Sequence, residues 1–321
     1  MNPLRPVAFH FAALVLGGLS AGFVFSREKT PLSYVESTAV IWNGRPSELS
    51  RIVYENSSRR LTLEAKEDAG QRWFLGSAQP LPASSPAKTF PAVTTVNKLT
   101  ESLASLHATR AFGKLEAPRA AELGLDKRDT SLTVVVGGKE HKLFVGASSP
   151  GATDKYVVDA ANDQVYSVKI EPFQDLEAGD SRLMEHDQHD FKDLDIVSAK
   201  IVSRDKARTV ISSGPEGKRF WADPADREKA DETVVNFMQK IDRLRANEYF
   251  AKQPDNAQLV ARIEYTGSAK RKGFFELAKR PSSEGADKFD YWMTTEHLRL
   301  YGKMPQASGE PIEQDIGSVV R

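Results

Sequence analysis

No cysteine occurs in the 321 residues. Disulfides, thiolate metal sites and cysteine nucleophiles are therefore excluded. A lipoprotein anchor is excluded too, because its acyl chain needs a cysteine. Net charge is also lacking: 44 Lys and Arg balance 44 Asp and Glu. No overall field draws the chain to nucleic acid or to anionic lipid. There is no Gly-x-Ser-x-Gly elbow, no His-Glu-x-x-His helix and no dinucleotide fingerprint. Gly137-Gly138-Lys139 has neither the upstream Gly nor the following Ser or Thr of a phosphate loop.

What is present is an ordinary globular balance, 40% hydrophobic and 27% charged, in a chain long enough for about two domains. Pro6 to Phe25 is a run without charge. Twenty helical residues span about 30 Å, the thickness of a bilayer's hydrocarbon core. The expectation is a single transmembrane helix within residues 1–30, uncleaved, in the cell inner membrane, with the body on the periplasmic or extracytoplasmic side. A cleavable signal peptide is the alternative, with Leu19-Ser20-Ala21 as a weak cleavage site. A buried core helix is another.

Beyond that segment, two stretches share a pattern. Val96, Leu99, Leu103 and Leu106 have the same spacing as Val234, Phe237, Ile241 and Leu244. Each set draws one apolar stripe along a helix. Arg72-Trp73-Phe74 precedes the first and Arg219-Phe220-Trp221 the second; Pro91 and Pro224 are placed in first turns and Asp223 at an N-cap. After the stripes come strand-like runs, Ser131 to Val136 with Lys142 to Val145, and Leu259 to Thr266 with Gly273 to Leu277. Tyr156 and Tyr166 follow in the first, Tyr291 and Tyr301 in the second. Upstream lie Arg51 to Glu55 with Arg59 to Lys66, and Ser198 to Ser203 with Arg208 to Ser212.

The expected fold class is α+β. Two tandem copies of a module, each an antiparallel sheet with one main helix, would occupy residues 31–180 and 196–321, joined by a connector at 181–195. Gln79 to Lys88 should be an exposed loop, and Pro118 to Leu125 a helical turn.

The order of these features resembles a bacterial family of domains of unknown function, number 4340. The residues that carry the likeness are Trp73, the Val96 to Leu106 stripe, Glu122-Leu123-Gly124-Leu125, Leu143 to Gly146, Tyr156 and Val165-Tyr166. It covers residues 37 to 200 best; the second stretch lacks the Gly-Leu segment. The resemblance implies a membrane-anchored protein outside the cytoplasm, associated with ABC-type permease and gliding-type components. It implies no catalytic residue.

The candidate chemistry is sparse. Glu185-His186-Asp187-Gln188-His189-Asp190 offers His186, His189 and Asp187 as possible metal ligands. The competing reading is a solvated linker, and no metal or cofactor is expected. Lys270-Arg271-Lys272 reads as a charged hairpin tip, with phosphate contact as the sharper reading. The aromatics Trp73, Trp221, Trp292, Tyr156 and Tyr301 are expected in the core, or else on a carbohydrate- or partner-binding platform. The function expected is that of a non-catalytic accessory or scaffold subunit of an ABC-type transport or gliding-like complex, bound to the permease and its ATPase but not to nucleic acid. A solute- or glycan-binding module is the alternative, and a hydrolase with an undetected acidic site the third reading.

Overall fold

A computed structural model describes residues 39–321, apart from 69, 152, 269, 270, 284, 286 and 287. In chain order the first part contains β1 (Val40–Trp42), β2 (Leu49–Glu55), β3 (Arg59–Asp68), β4 (Gln71–Pro80), β5 (Lys88–Ala92), α1 (Asn97–Ala104), β6 (Leu106–His107), β7 (Arg110–Lys114), α2 (Ala117–Glu122), β8 (Ser131–Val136), β9 (Lys139–Ser148), β10 (Asp154–Asp159), β11 (Gln164–Lys169), α3 (Glu171–Ala178) and α4 (Asp180–Leu183). The second part contains β12 (Ser198–Ser203), β13 (Lys206–Ser213), β14 (Phe220–Asp223), β15 (Asp226–Ala230), α5 (Glu232–Asp242), β16 (Glu248–Phe250), β17 (Gln258–Thr266), β18 (Arg271–Pro281), β19 (Phe289–Thr295), β20 (Tyr301–Met304) and α6 (Gln306–Val319).

Alternation builds the strands. In β8 every second residue is buried, Leu132, Val134 and Val136, the period expected of a half-buried strand. The two-residue link to β9 is Gly137-Gly138, with φ of +57° and +77°. Both values fall where only glycine rests without a Cβ penalty, as a tight hairpin requires.

All ladders are antiparallel, and 18 of the strands join in one array. Pairing by pairing the order is β7-β11-β10-β9-β8-β2-β3-β4-β5-β16-β20-β19-β18-β17-β12-β13-β14-β15. Among the described residues β7 and β15 each pair on one side only. We therefore describe an unbranched row rather than a closed barrel. Its narrowest point is β5–β16, where a single pair, Thr89 and Tyr249, is in register. The strand order to the left of that point relates to the chain as does the order to its right.

The α+β expectation is corrected by this arrangement. Strands account for 46% and helices for 21%, so the fold is mostly β. Separate tandem copies are not shown either. One sheet runs through both parts, and one buried cluster extends from Trp42 to Val320. The stripes Val96, Leu99, Leu103, Leu106 and Val234, Phe237, Ile241, Leu244 are all buried in it, because each helix lays its apolar face against the shared core.

Three local expectations also change. Pro91 lies buried within β5, and Pro224 in the turn between β14 and β15. Asp223 is not an N-cap; Asp231 is, its side chain accepting from Val234 N at 3.1 Å. Pro91 stands in the strand before its helix, and a further strand separates Pro224 from its own. In the second part that strand is Asp226–Ala230, whose Asp-Arg-Glu-Lys run carries no apolar alternation to betray it. Of the stretch 79–88, Gln79 and Pro80 end β4 and Lys88 opens β5, while 82–87 between them are an exposed loop; the helical turn at 117–122 is present.

The expected transmembrane segment, Pro6 to Phe25, lies outside the described residues. Among those described, no helix is long and apolar enough to cross a membrane. Nothing among the described residues supports the membrane and signal-anchor assignment or the inner-membrane location, and neither is carried further.

Candidate functional site

The connector is a bolt between the two parts of the sheet, not a solvated linker. Glu185 is buried. Its Oε2 lies 3.5 Å from His297 Nε2 and accepts from Thr94 N at 3.0 Å and from the Thr94 hydroxyl. Its Oε1 accepts from the backbone of His186 at 3.0 Å and of Asp187 at 3.2 Å. Burial raises the Glu185 pKa, but the bonds from His297 and Thr94 outweigh it and pull the carboxyl down to about 2. Gln188 donates to the carbonyls of Ile241 and Leu244, at the end of α5, while its own carbonyl accepts from Thr295 at 2.7 Å. These bonds tie residues near 94, 185, 241 and 295, which lie far apart in sequence.

The three candidate metal ligands diverge. His186 and Asp187 are exposed, whereas His189 turns inward. Among the described residues no group of three or more His, Asp or Glu is placed to hold a metal ion. His189 is oriented by other means. Its Nδ1 lies 2.8 Å from Glu296 Oε1, and Glu296 Oε2 in turn accepts from Phe274 N at 2.6 Å. Its ring stacks on Phe191 at 4.5 Å and meets Tyr265 edge-on at 4.9 Å. Its Nε2 is buried and has no partner.

His189 lines a cavity of about 230 Å³. Its aromatic walls are Phe191 from the connector, Phe220 and Trp221 from β14, and Tyr265 from β17. These walls bring together the two halves of a reading that sequence alone left open. Trp73 and Trp292 are core residues, but Trp221 is half-buried and faces this space. Asp193, Gln239 and Asp242 form an exposed rim.

Electrostatics follow from that placement. Crowding by protein, then the like charge of Asp193, pushes the Asp242 carboxyl up to about 6; His189 and Arg245 oppose the rise. The residue is exposed at the rim, so water moderates the effect. Tyr265 is driven well above the usual tyrosine range by burial, then by Asp242, Glu296 and Asp193, and stays a neutral donor. Arg219 is fastened to the wall: Nε and Nη2 reach the Ser212 hydroxyl at 3.0 and 2.8 Å, and Nη2 also reaches the carbonyls of Ile196 and Ser212 at 3.1 Å.

Sequence reasoning singled out His189, Phe220 and Trp221 but missed Asp193, Arg219 as a wall residue, Asp242 and Tyr265. Tyr265 lies in the strand-like run Leu259 to Thr266, with nothing local to mark it as a wall. Nothing local marks Asp242, which ends a helix of ordinary amphipathic pattern. Of the basic triplet, Lys270 lies outside the described residues, and Arg271 and Lys272 open β18 at a hairpin end.

No curated protein and no solved structure matches the chain. A family profile does match, over residues 85–261. That range differs from the stretch 37 to 200 where the likeness was read: it begins at the loop before β5, crosses the connector, and takes in α5 and the first strand turns of β17. It contains His189, Phe191, Asp193, Arg219, Trp221 and Asp242, though not Tyr265. The matched stretch is more than half of the 321 residues, and the protein belongs to the family described as Domain of unknown function (DUF4340).

Proposed function

We propose that this protein is a non-catalytic binding module whose ligand is a small polar solute held in the cavity at His189, Trp221 and Tyr265. The observation that supports it most directly is the convergence of four aromatic side chains with His189, Asp193 and Asp242, from separate segments, on one concave space. Apolar walls with a few oriented polar groups are the usual make-up of a small-molecule site. A glycan end group is one ligand of this class. The non-catalytic reading draws on Ser212, the serine of the wall. Its hydroxyl accepts from Arg219, and among the described residues no base accepts from it, the pairing a nucleophile needs.

The test is a thermal-shift screen of the full chain against small polar solutes, repeated on Trp221→Ala. A solute that raises the melting temperature of the parent but not of the variant supports the proposal. A shift that survives the substitution, or no shift across sugars, amines and carboxylic acids, removes it.

A second reading is an accessory or scaffold subunit of an ABC-type transport or gliding-like assembly, the role the family resemblance implies. It is favoured by Leu194 and Val197, which stand 49% and 47% exposed beside the cavity rim. Strand addition at the ends of the sheet is a poor route to such a partner. β15 reads Asp-Arg-Glu-Lys-Ala and β7 carries Arg110 and Lys114, and charged edges resist pairing. Co-purification of a permease and its ATPase with the tagged chain, lost in Leu194→Asp, would establish this role; recovery of the chain alone would count against it.

A further inference from the structure

We infer that the solute taken by this cavity is a compact organic cation, a free small-molecule ammonium ion, and this rests on the cavity being the binding site proposed above.

The first argument is charge. Asp193 and Asp242 come from different elements and meet at one rim. Neither carboxylate has a hydrogen bond or ion pair within the described structure beyond the rim itself, while Asp193 acts on Asp242 as a like charge. Two adjoining carboxylates are unfavourable unless something positive sits between or beneath them. His189 and Arg245 oppose the repulsion but leave the Asp242 carboxyl raised, and Arg219 does not fill that role. Its Nε and Nη2 are spent on Ser212 and on the carbonyl of Ile196.

The second argument is the wall. Phe191, Phe220, Trp221 and Tyr265 put four π systems around the space. A cation over such a face is attracted by the ring quadrupole, and the attraction grows as water is excluded. Tyr265 is 4% exposed and lines the cavity, so its ring is the wall most shielded from water.

The third argument is the balance of acceptors and donors. The groups left open at the rim are acceptors, the carboxylates of Asp193 and Asp242. A ligand that brings N–H donors or a diffuse positive charge satisfies them. A sugar, which brings equal numbers of donors and acceptors, finds Arg219 already engaged. The volume of about 230 Å³ suits a head group of a few heavy atoms rather than a chain of sugar rings.

The experiment is isothermal titration of the full chain with four probes: choline, butylammonium, the neutral carbon isostere 3,3-dimethylbutan-1-ol, and methyl glucoside. We expect the two cations to bind about tenfold or more tightly than the isostere, from charge and cation–π attraction combined. Asp242→Asn should weaken the cations about tenfold and leave the isostere unchanged; Asp193→Asn, also at the exposed rim, should act in the same direction. Equal binding of choline and its isostere, or binding of the glucoside alone, overturns the cation assignment while the cavity stands as a site. Failure of all four probes to bind overturns the assignment and the cavity reading together.

Discussion

Glu185 Oε2 and His297 Nε2 lie 3.5 Å apart, with side chains only 3% and 5% exposed. The pair joins the connector to the turn after β19, and through Thr94 to the loop before α1. A carboxylate so deeply placed needs its donors, and it has them from four residues.

Replacing that carboxylate should therefore be costly. Glu185→Gln keeps the size but forfeits the charge-assisted bonds, and a broken buried pair costs about 3–5 kcal/mol. The pH dependence has a fixed sign. The folded pKa of about 2 lies below the ordinary value of 4.5, so this stabilisation is complete above the unfolded value. It is lost as pH falls from about 4.5 toward 2. Urea titrations at pH 7, 4 and 3 should show the parent and Glu185→Gln converging with acid. Parallel losses would contradict the assignment.

Because one core runs through both parts of the sheet, unfolding should be a single event. Leu103→Ala in α1 and Ile241→Ala in α5, both fully buried, should each cost about 2–5 kcal/mol. Each should move the same transition, seen alike by far-ultraviolet circular dichroism and tryptophan emission. Two transitions, each sensitive to one variant, would restore the picture of separate modules.

Gly309 in α6 sits against the base of the Tyr291 ring. A Cβ there would lie 2.2 Å from Tyr291 Cγ and 2.6 Å from its Cβ. Atoms so near the backbone cannot swing aside. Gly309→Ala gains up to about 1 kcal/mol of helix propensity, yet overpacking of this kind costs about 1–3 kcal/mol. The net expectation is a lowered melting temperature; a raised one would show that α6 can slide.

Asp242 should behave in the opposite sense to Glu185. Its folded pKa is raised to about 6, so its contribution is present below the unfolded value of about 3.8 and is lost as pH rises through 6. The groups acting on it are Asp193, His189 and Arg245. Asp242→Asn should raise the melting temperature of the ligand-free protein at pH 7 and leave it unchanged at pH 4. The same substitution should weaken ammonium binding at pH 7. A carboxyl titrating near 4 by NMR would sink this prediction.

Asp231 serves twice, capping α5 at Val234 and pairing with Arg208 at 2.6 Å. Arg208 also reaches Asp223 and the carbonyl of Val319. Asp231→Ala should cost about 1–2 kcal/mol, the upper part of the range for a lost N-cap. Asp231→Asn, which keeps the cap acceptor, should recover about half of it. Equal losses would mean that the charge alone matters.

By itself the sequence determined the local elements whose stabilising pattern is local. The period of Leu132, Val134 and Val136, the Gly137-Gly138 turn and the stripes of α1 and α5 all repeat within one element, so their periods are legible in the chain. It also determined that cysteine chemistry is unavailable. Only the tertiary structure decided the rest. Strand β15 has no apolar alternation, and only its ladder with β14 makes it a strand. That two apparent modules share one sheet depends on the pairing of Thr89 with Tyr249, 160 residues apart. The connector reads as polar and solvated, but it folds inward because Glu185 and Gln188 find partners in Thr94, His297, Ile241 and Leu244. The cavity is likewise a product of packing. Its aromatic walls and carboxylate rim come from four separate segments, each ordinary alone, and they face one space only once the sheet has brought them to one place.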